Sequence, residues 1–204
     1  MKKVYLFILF VLFSTQITLA QSYQFTKVAD LQYAMGVVFN SDNEMYYFSQ
    51  SAGLFDETGT NLLTDAQTGH SFGCIGVENE TIWTGGYWGV TEYNAGSYTS
   101  YTSIPGVSNP AFYDIDYHQN NVYAAIEDDG LGYFNGIEWK VYTSSDGLTA
   151  SWFTSVTHDD SGKIYIAGVN GSWNEGIIDM FDGSIWSSFT IADHGLDMIL
   201  NVFV

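Results

Sequence analysis

The chain has 204 residues, with 23 acidic side chains against five lysines and no arginine, a net charge of −18 at neutral pH. So acidic a chain repels phosphate, which argues against nucleic acid and anionic membrane surfaces as partners. Hydrophobic residues make up 46% and aromatic residues 17%, enough to bury a core and to exclude a disordered chain.

Lys2 and Lys3 precede the apolar run Val4 to Phe13, and a polar stretch follows that ends in the small residue Ala20. This order predicts a secretory signal peptide over residues 1–20, since the run is too short to span a membrane as a helix. The mature chain then begins at Gln21 and resides in the periplasm or is secreted, with no membrane insertion after cleavage. Its 184 residues keep all 23 carboxylates against Lys27, Lys140 and Lys163, a net charge of −20. Cys74 is the only cysteine, so no intrachain disulfide forms, and its apolar surroundings, Phe72 to Val77, read as a small buried residue.

From residue 40 onward one pattern recurs: a polar turn, an apolar strand carrying an aromatic residue, and a glycine opening the next strand. It reads NSDNEMYYFSQSAGLFD at 40–56, GVENETIWTGGYWGVTEY at 76–93, DYHQNNVYAAIEDDGLGYF at 116–134 and THDDSGKIYIAGVNGSWNEGIIDMF at 157–181. The aromatic anchors Tyr46, Trp83, Tyr123 and Tyr165 lie 37, 40 and 42 residues apart, and Gly53, Gly89, Gly130 and Gly176 lie 36, 41 and 46 apart. Four short strands recurring at such a period predict an all-β chain folded as a β-propeller. A sandwich would not repeat its turn chemistry at a fixed period, and the period-2 alternation cut by glycine excludes helical repeats.

The expected blades cover about 33–65, 71–103, 111–144 and 152–191, each with four strands. The ends FTKVADLQYAMGVVF (25–39) and FTIADHGLDMILNVFV (189–204) resemble one another. Partial strands are therefore expected at 21–30 and 199–204, as in a C-terminally truncated ring whose open arc self-associates.

The stretch WKVYTSSDGLTASWFTSVTHDDSGKIYIAG (139–168) resembles the two-component regulator propeller repeat, whose pattern is an aromatic strand, a Gly-Leu turn, an apolar strand, an Asp-x-x-Gly turn and an Ile-Trp-Ile-Gly strand. Tyr165 stands where that family usually has Trp, whereas Ile82-Trp83-Thr84-Gly85 keeps it. The resemblance implies an extracytoplasmic sensing or recognition propeller of bacterial type and supplies no catalytic residue.

Strand parity puts the loops between second and third strands on the same end as those that lead into each blade. That end collects Tyr87, Trp88, Asp128, Trp152 and Trp173, with His70 nearby. Exposed rings beside carboxylates suit a glycan or another neutral ligand, the ring covering the C–H face and polar groups the hydroxyls. Packing between blades is the alternative role for Trp88 and Trp152. An enzyme, for instance a propeller glycosidase or lyase, would need a carboxylate pair such as Asp128 and Glu175, but so acidic a chain supplies pairs by chance. No catalytic motif occurs, His118 and His158 recur at one repeat position as scaffold residues do, and Glu127-Asp128-Asp129 lacks the spaced ligands of a calcium loop. No cofactor or metal is expected, and a protein-interaction scaffold is the further alternative.

Overall fold

The computed structural model describes residues 34–49 and 52–190, all of them in the larger of two compact units, Leu31–Val204. The expected signal peptide and the partial strands at 21–30 and 199–204 lie outside the described residues. Among the described residues, sixteen strands form four antiparallel sheets, each of four strands in sequence order. Blade 1 holds β1 (Ala34–Phe39), β2 (Met45–Ser49), β3 (Gly53–Asp56) and β4 (Asn61–Leu63). Blade 2 holds β5 (Ser71–Glu78), β6 (Thr81–Gly86), β7 (Gly89–Asn94) and β8 (Ser97–Tyr101). Blade 3 holds β9 (Phe112–His118), β10 (Asn121–Ile126), β11 (Gly130–Phe134) and β12 (Trp139–Tyr142). Blade 4 holds β13 (Trp152–His158), β14 (Ile164–Val169), β15 (Gly176–Phe181) and β16 (Trp186–Thr190). First strands lie side by side, β1 on β5, β5 on β9 and β9 on β13, so the sheets fan out from them as blades do.

The repeated residues have physical reasons. At Gly89, which opens β7 with φ 125°, a Cβ would collide with the Tyr101 carbonyl oxygen at the end of β8; Gly130 has the same geometry against Tyr142. Only glycine takes that conformation and lets the fourth strand come so close. The turn at Thr143 is a capped 3-10 turn over Ser144–Asp146, in which the Asp146 carboxylate accepts from the Thr143 N–H at 2.9 Å. Gly147 ends it and delivers Leu148 into the core.

One apolar core fills each joint between blades. Phe48, Leu54, Leu63, Ile75 and Ile82 join blades 1 and 2, and Leu131, Phe153, Val156, Ile164 and Ile166 are among those joining blades 3 and 4. Between blades 2 and 3, Trp83 is buried with Val90, Phe112, Ile115, Val122 and Phe134, its ring 5.4 Å from Phe134 and 5.6 Å from Tyr101. Three of the four aromatic anchors, Tyr46, Trp83 and Tyr123, pack at these joints, whereas Tyr165 donates its hydroxyl to Asp159.

Polar contacts between inner strands fix the angle of the fan. The Glu78 carboxylate accepts from the N–H groups of Gln119 and Asn120 at 3.0 and 3.2 Å. Asp114 accepts from Ser155 Oγ at 2.8 Å and the Val156 N–H at 2.9 Å, and Asp116 pairs with His158. His118 and His158 stack across this joint with ring centroids 4.0 Å apart, a packing role.

A candidate ligand-binding face

Each pairing of first and second strands has a register shift near the start of the inner strand. In blade 3 the pairing steps from Asp114 to Phe112 and leaves Tyr113 as the extra residue. A bulge re-aims the side chain it carries. Tyr113 lies 5.8 Å from Trp152, centroid to centroid, and its hydroxyl donates to Glu127 Oε1 at 3.1 Å. Burial first, then that hydrogen bond and the charges of Glu127 and Asp128, pushes the Tyr113 hydroxyl up to about 12, so it remains a donor at physiological pH. Tyr87 also lies within electrostatic reach of this hydroxyl.

Trp152 opens β13 half-buried, and its ring centroid is 4.5 Å from that of Trp173 with the planes 54° apart. Trp173 sits in the loop between β14 and β15, where Asn170 accepts from the N–H groups of Ser172 and Asn174 and the Trp173 N–H reaches the Asn170 carbonyl at 3.0 Å. The loop holds Trp173 in the left-handed region, φ 57°, with 54% of the residue exposed. That conformation costs a bulky residue on the order of 1 kcal/mol, and contact with Trp152 covers only part of the indole.

Tyr87 and Trp88 are the two residues of the hairpin between β6 and β7, 50% and 64% exposed. The Trp88 N–H donates to the Gly69 carbonyl at 3.2 Å, and the Trp88 ring meets His70 edge-on at 5.9 Å. His70 Nδ1 is 2.7 Å from Asp65 Oδ2. So exposed a ring is not packed between blades.

Glu127 to Asp129 form the loop between β10 and β11. Asp129 accepts from the N–H groups of Ser108 and Asn109 and from Ser108 Oγ, all at 2.8 to 2.9 Å. Glu127 Oε2 accepts from Asn109 Nδ2 at 2.8 Å, and the Glu127 carbonyl accepts from the Phe153 N–H at 2.9 Å. These two carboxylates hold the loop between the blades, whereas Asp128 is exposed and makes no side-chain hydrogen bond among the described residues.

Of the five residues expected at a site, Trp152 and Trp173 are in ring contact, Trp88 meets His70, and Tyr87 and Asp128 act on the Tyr113 hydroxyl through their charges. Sequence reasoning missed Tyr113, because period-2 counting has no place for a bulged residue; the aromatic pair Phe112-Tyr113 at the strand's start is the one trace it leaves. At the opposite end a cavity of about 280 Å³ between blades 1 and 2 is lined by Glu44, Tyr46, Asp56, Glu57, Glu80 and Tyr93 among others. Burial, then the Glu44 charge, pushes Tyr46 up to about 12.

Four fanned four-stranded sheets with an aromatic loop end define a β-propeller module. No family model and no curated protein matches the chain. Solved structures do. The extracellular domain of the putative hybrid two-component system BT3049 from B. thetaiotaomicron superposes with a TM-score of 0.58 at 15% identity, over 81% of this chain and 26% of that one. YCF48 from Cyanidioschyzon merolae gives 0.56 at 10% identity, over 80% and 58%. The computationally designed Ika4 protein gives 0.54 at 13% identity, over 78% and 98%. The chain thus spans about a quarter of the first of these and a little over half of the second. The likeness carries the propeller fold, and it includes the extracellular domain of a two-component system protein, the kind to which the repeat resemblance points. No helix among the described residues is long and apolar enough to cross a membrane.

Proposed function

We propose that the protein is an exported, non-catalytic recognition module whose ligand, a glycan, lies across the end that carries Tyr87, Trp88, Asp128, Trp152 and Trp173. One observation carries the reading: three exposed aromatic residues and the Tyr113–Trp152–Trp173 ring cluster share one end of the propeller, on loops cross-linked between blades. Exposed rings on a rigid scaffold favour the apolar faces of sugars, while Asp128 and the loop amides suit hydroxyls. The lysine-rich, apolar start of the chain supports export. A glycan array with the purified chain, followed by calorimetry on the hits with Trp88→Ala and Trp173→Ala, tests this; turnover of a bound glycan would replace it with the enzyme reading.

A second reading concerns blade 1. Met35, Val37 and Phe39 alternate along β1 and are 47%, 55% and 59% exposed. In the register of the repeat, Val37 and Phe39 correspond to Ile75 and Val77, and to Ile115 and Tyr117, which pack toward the preceding blade. This apolar row favours self-association.

A further inference from the structure

We infer that the glycan this face recognises is cationic, an amino-sugar chain with free ammonium groups; the inference rests on the glycan reading above. Rings and carboxylates share the loops of this end. Glu127 accepts from the Tyr113 hydroxyl at 3.1 Å, the exposed Asp128 follows it in the same loop, and the Glu175 carbonyl accepts from the Asn170 N–H to close the loop that carries Trp173. Every partner found for Glu127 and Asp129 is a neutral donor, Asn109, Ser108 or Tyr113, so hydrogen bonds position these charges without cancelling them. The two lysines among the described residues are elsewhere: Lys140 lies over the Tyr142 ring on an outer strand, and Lys163 follows the turn that enters β14 at the other end. The negative face of an aromatic quadrupole and an uncompensated carboxylate attract the same group, a cation. An amino sugar offers both parts at once, a C–H face to lie on an indole and an ammonium group to reach Asp128. A neutral sugar leaves the charge of this surface unused, and a sulfated or carboxylated one is repelled by it.

The test compares three six-residue β-1,4-linked probes by calorimetry on the purified chain: a glucosamine oligomer, its fully N-acetylated form and a glucose oligomer. The glucosamine oligomer is expected to bind about tenfold or more tightly than either neutral probe, with the gap narrowing as salt is added. Asp128→Asn is expected to remove much of that gap. The double variant Glu57→Gln, Glu80→Gln loses more charge, but at the opposite end, and is expected to leave the gap in place. Equal binding of all three probes would overturn the cationic class and leave the glycan reading standing. Equal loss in the double variant and in Asp128→Asn would overturn it as well, showing diffuse attraction to an acidic surface. Binding of none of the three would remove the amino-sugar proposal, and the array, which samples other glycans, then decides the broader reading separately.

Discussion

Asp114 on the inner strand of blade 3 accepts a hydrogen bond from the Val156 N–H on the inner strand of blade 4 at 2.9 Å. Burial raises the carboxyl of Asp114 above its ordinary value of 3.8, against the opposing pull of Val156, Ser155 and Ile115. A carboxyl raised on folding binds its proton more tightly in the folded state. Its contribution to stability is therefore full below about pH 3.8 and is lost as pH rises through the raised value. Asp114→Asn keeps an oxygen acceptor for Val156 and removes the charge. Chemical denaturation from pH 4 to 7 should show the native chain losing stability relative to the variant as pH rises; parallel curves would remove Asp114 as the source.

Asp159 has the opposite sign. Its half-buried carboxylate accepts from Ser161 Oγ, the N–H groups of Ser161 and Lys163, and the Tyr165 hydroxyl, and the Ser161 side chain contributes most in lowering it to about 2. The stabilisation is present above pH 3.8 and lost as pH falls toward 2. Asp159→Ala is expected to flatten the acid limb of the stability profile and to speed amide exchange at Lys163 at neutral pH.

Trp83 fills the joint between blades 2 and 3, and its truncation leaves a cavity that the rings of Phe134 and Tyr101 cannot close. Trp83→Ala is expected to cost ~3–5 kcal/mol, measured by denaturant unfolding. A loss under about 1 kcal/mol would place the strength of that joint elsewhere, since such a value is what surface substitutions give.

The reach of the sequence follows from which constraints repeat. Trp83, Tyr46 and Tyr123 stand out because their second strands pack at a blade joint, and Gly89 and Gly130 because a fourth strand closes over them. The same repetition makes the four-stranded blade readable. What does not repeat was lost. Tyr113 depends on a bulge, which shifts the register without altering the pattern of residues around it. The spending of Glu127 and Asp129 on loop hydrogen bonds depends on Ser108 and Asn109, some twenty residues upstream. Trp152 and Trp173 were assigned to one end by strand parity, but their ring contact depends on the tight Asn170 loop.

The exposed row on β1 predicts concentration-dependent association in sedimentation velocity. Val37→Lys and Phe39→Lys together should yield a monomer with an unchanged strand spectrum in circular dichroism. A native chain that is monomeric throughout would show that the row is covered or inert.

The most direct test of the recognition face is calorimetry of Trp173→Ala with a glycan selected on the native chain, run beside thermal unfolding of both proteins. A stacked ring contributes ~0.5–1.5 kcal/mol beyond area burial. The variant should therefore bind severalfold more weakly and unfold at the same temperature. Unchanged binding with a lowered unfolding temperature would make Trp173 a packing residue and contradict the assignment of this end as the ligand face.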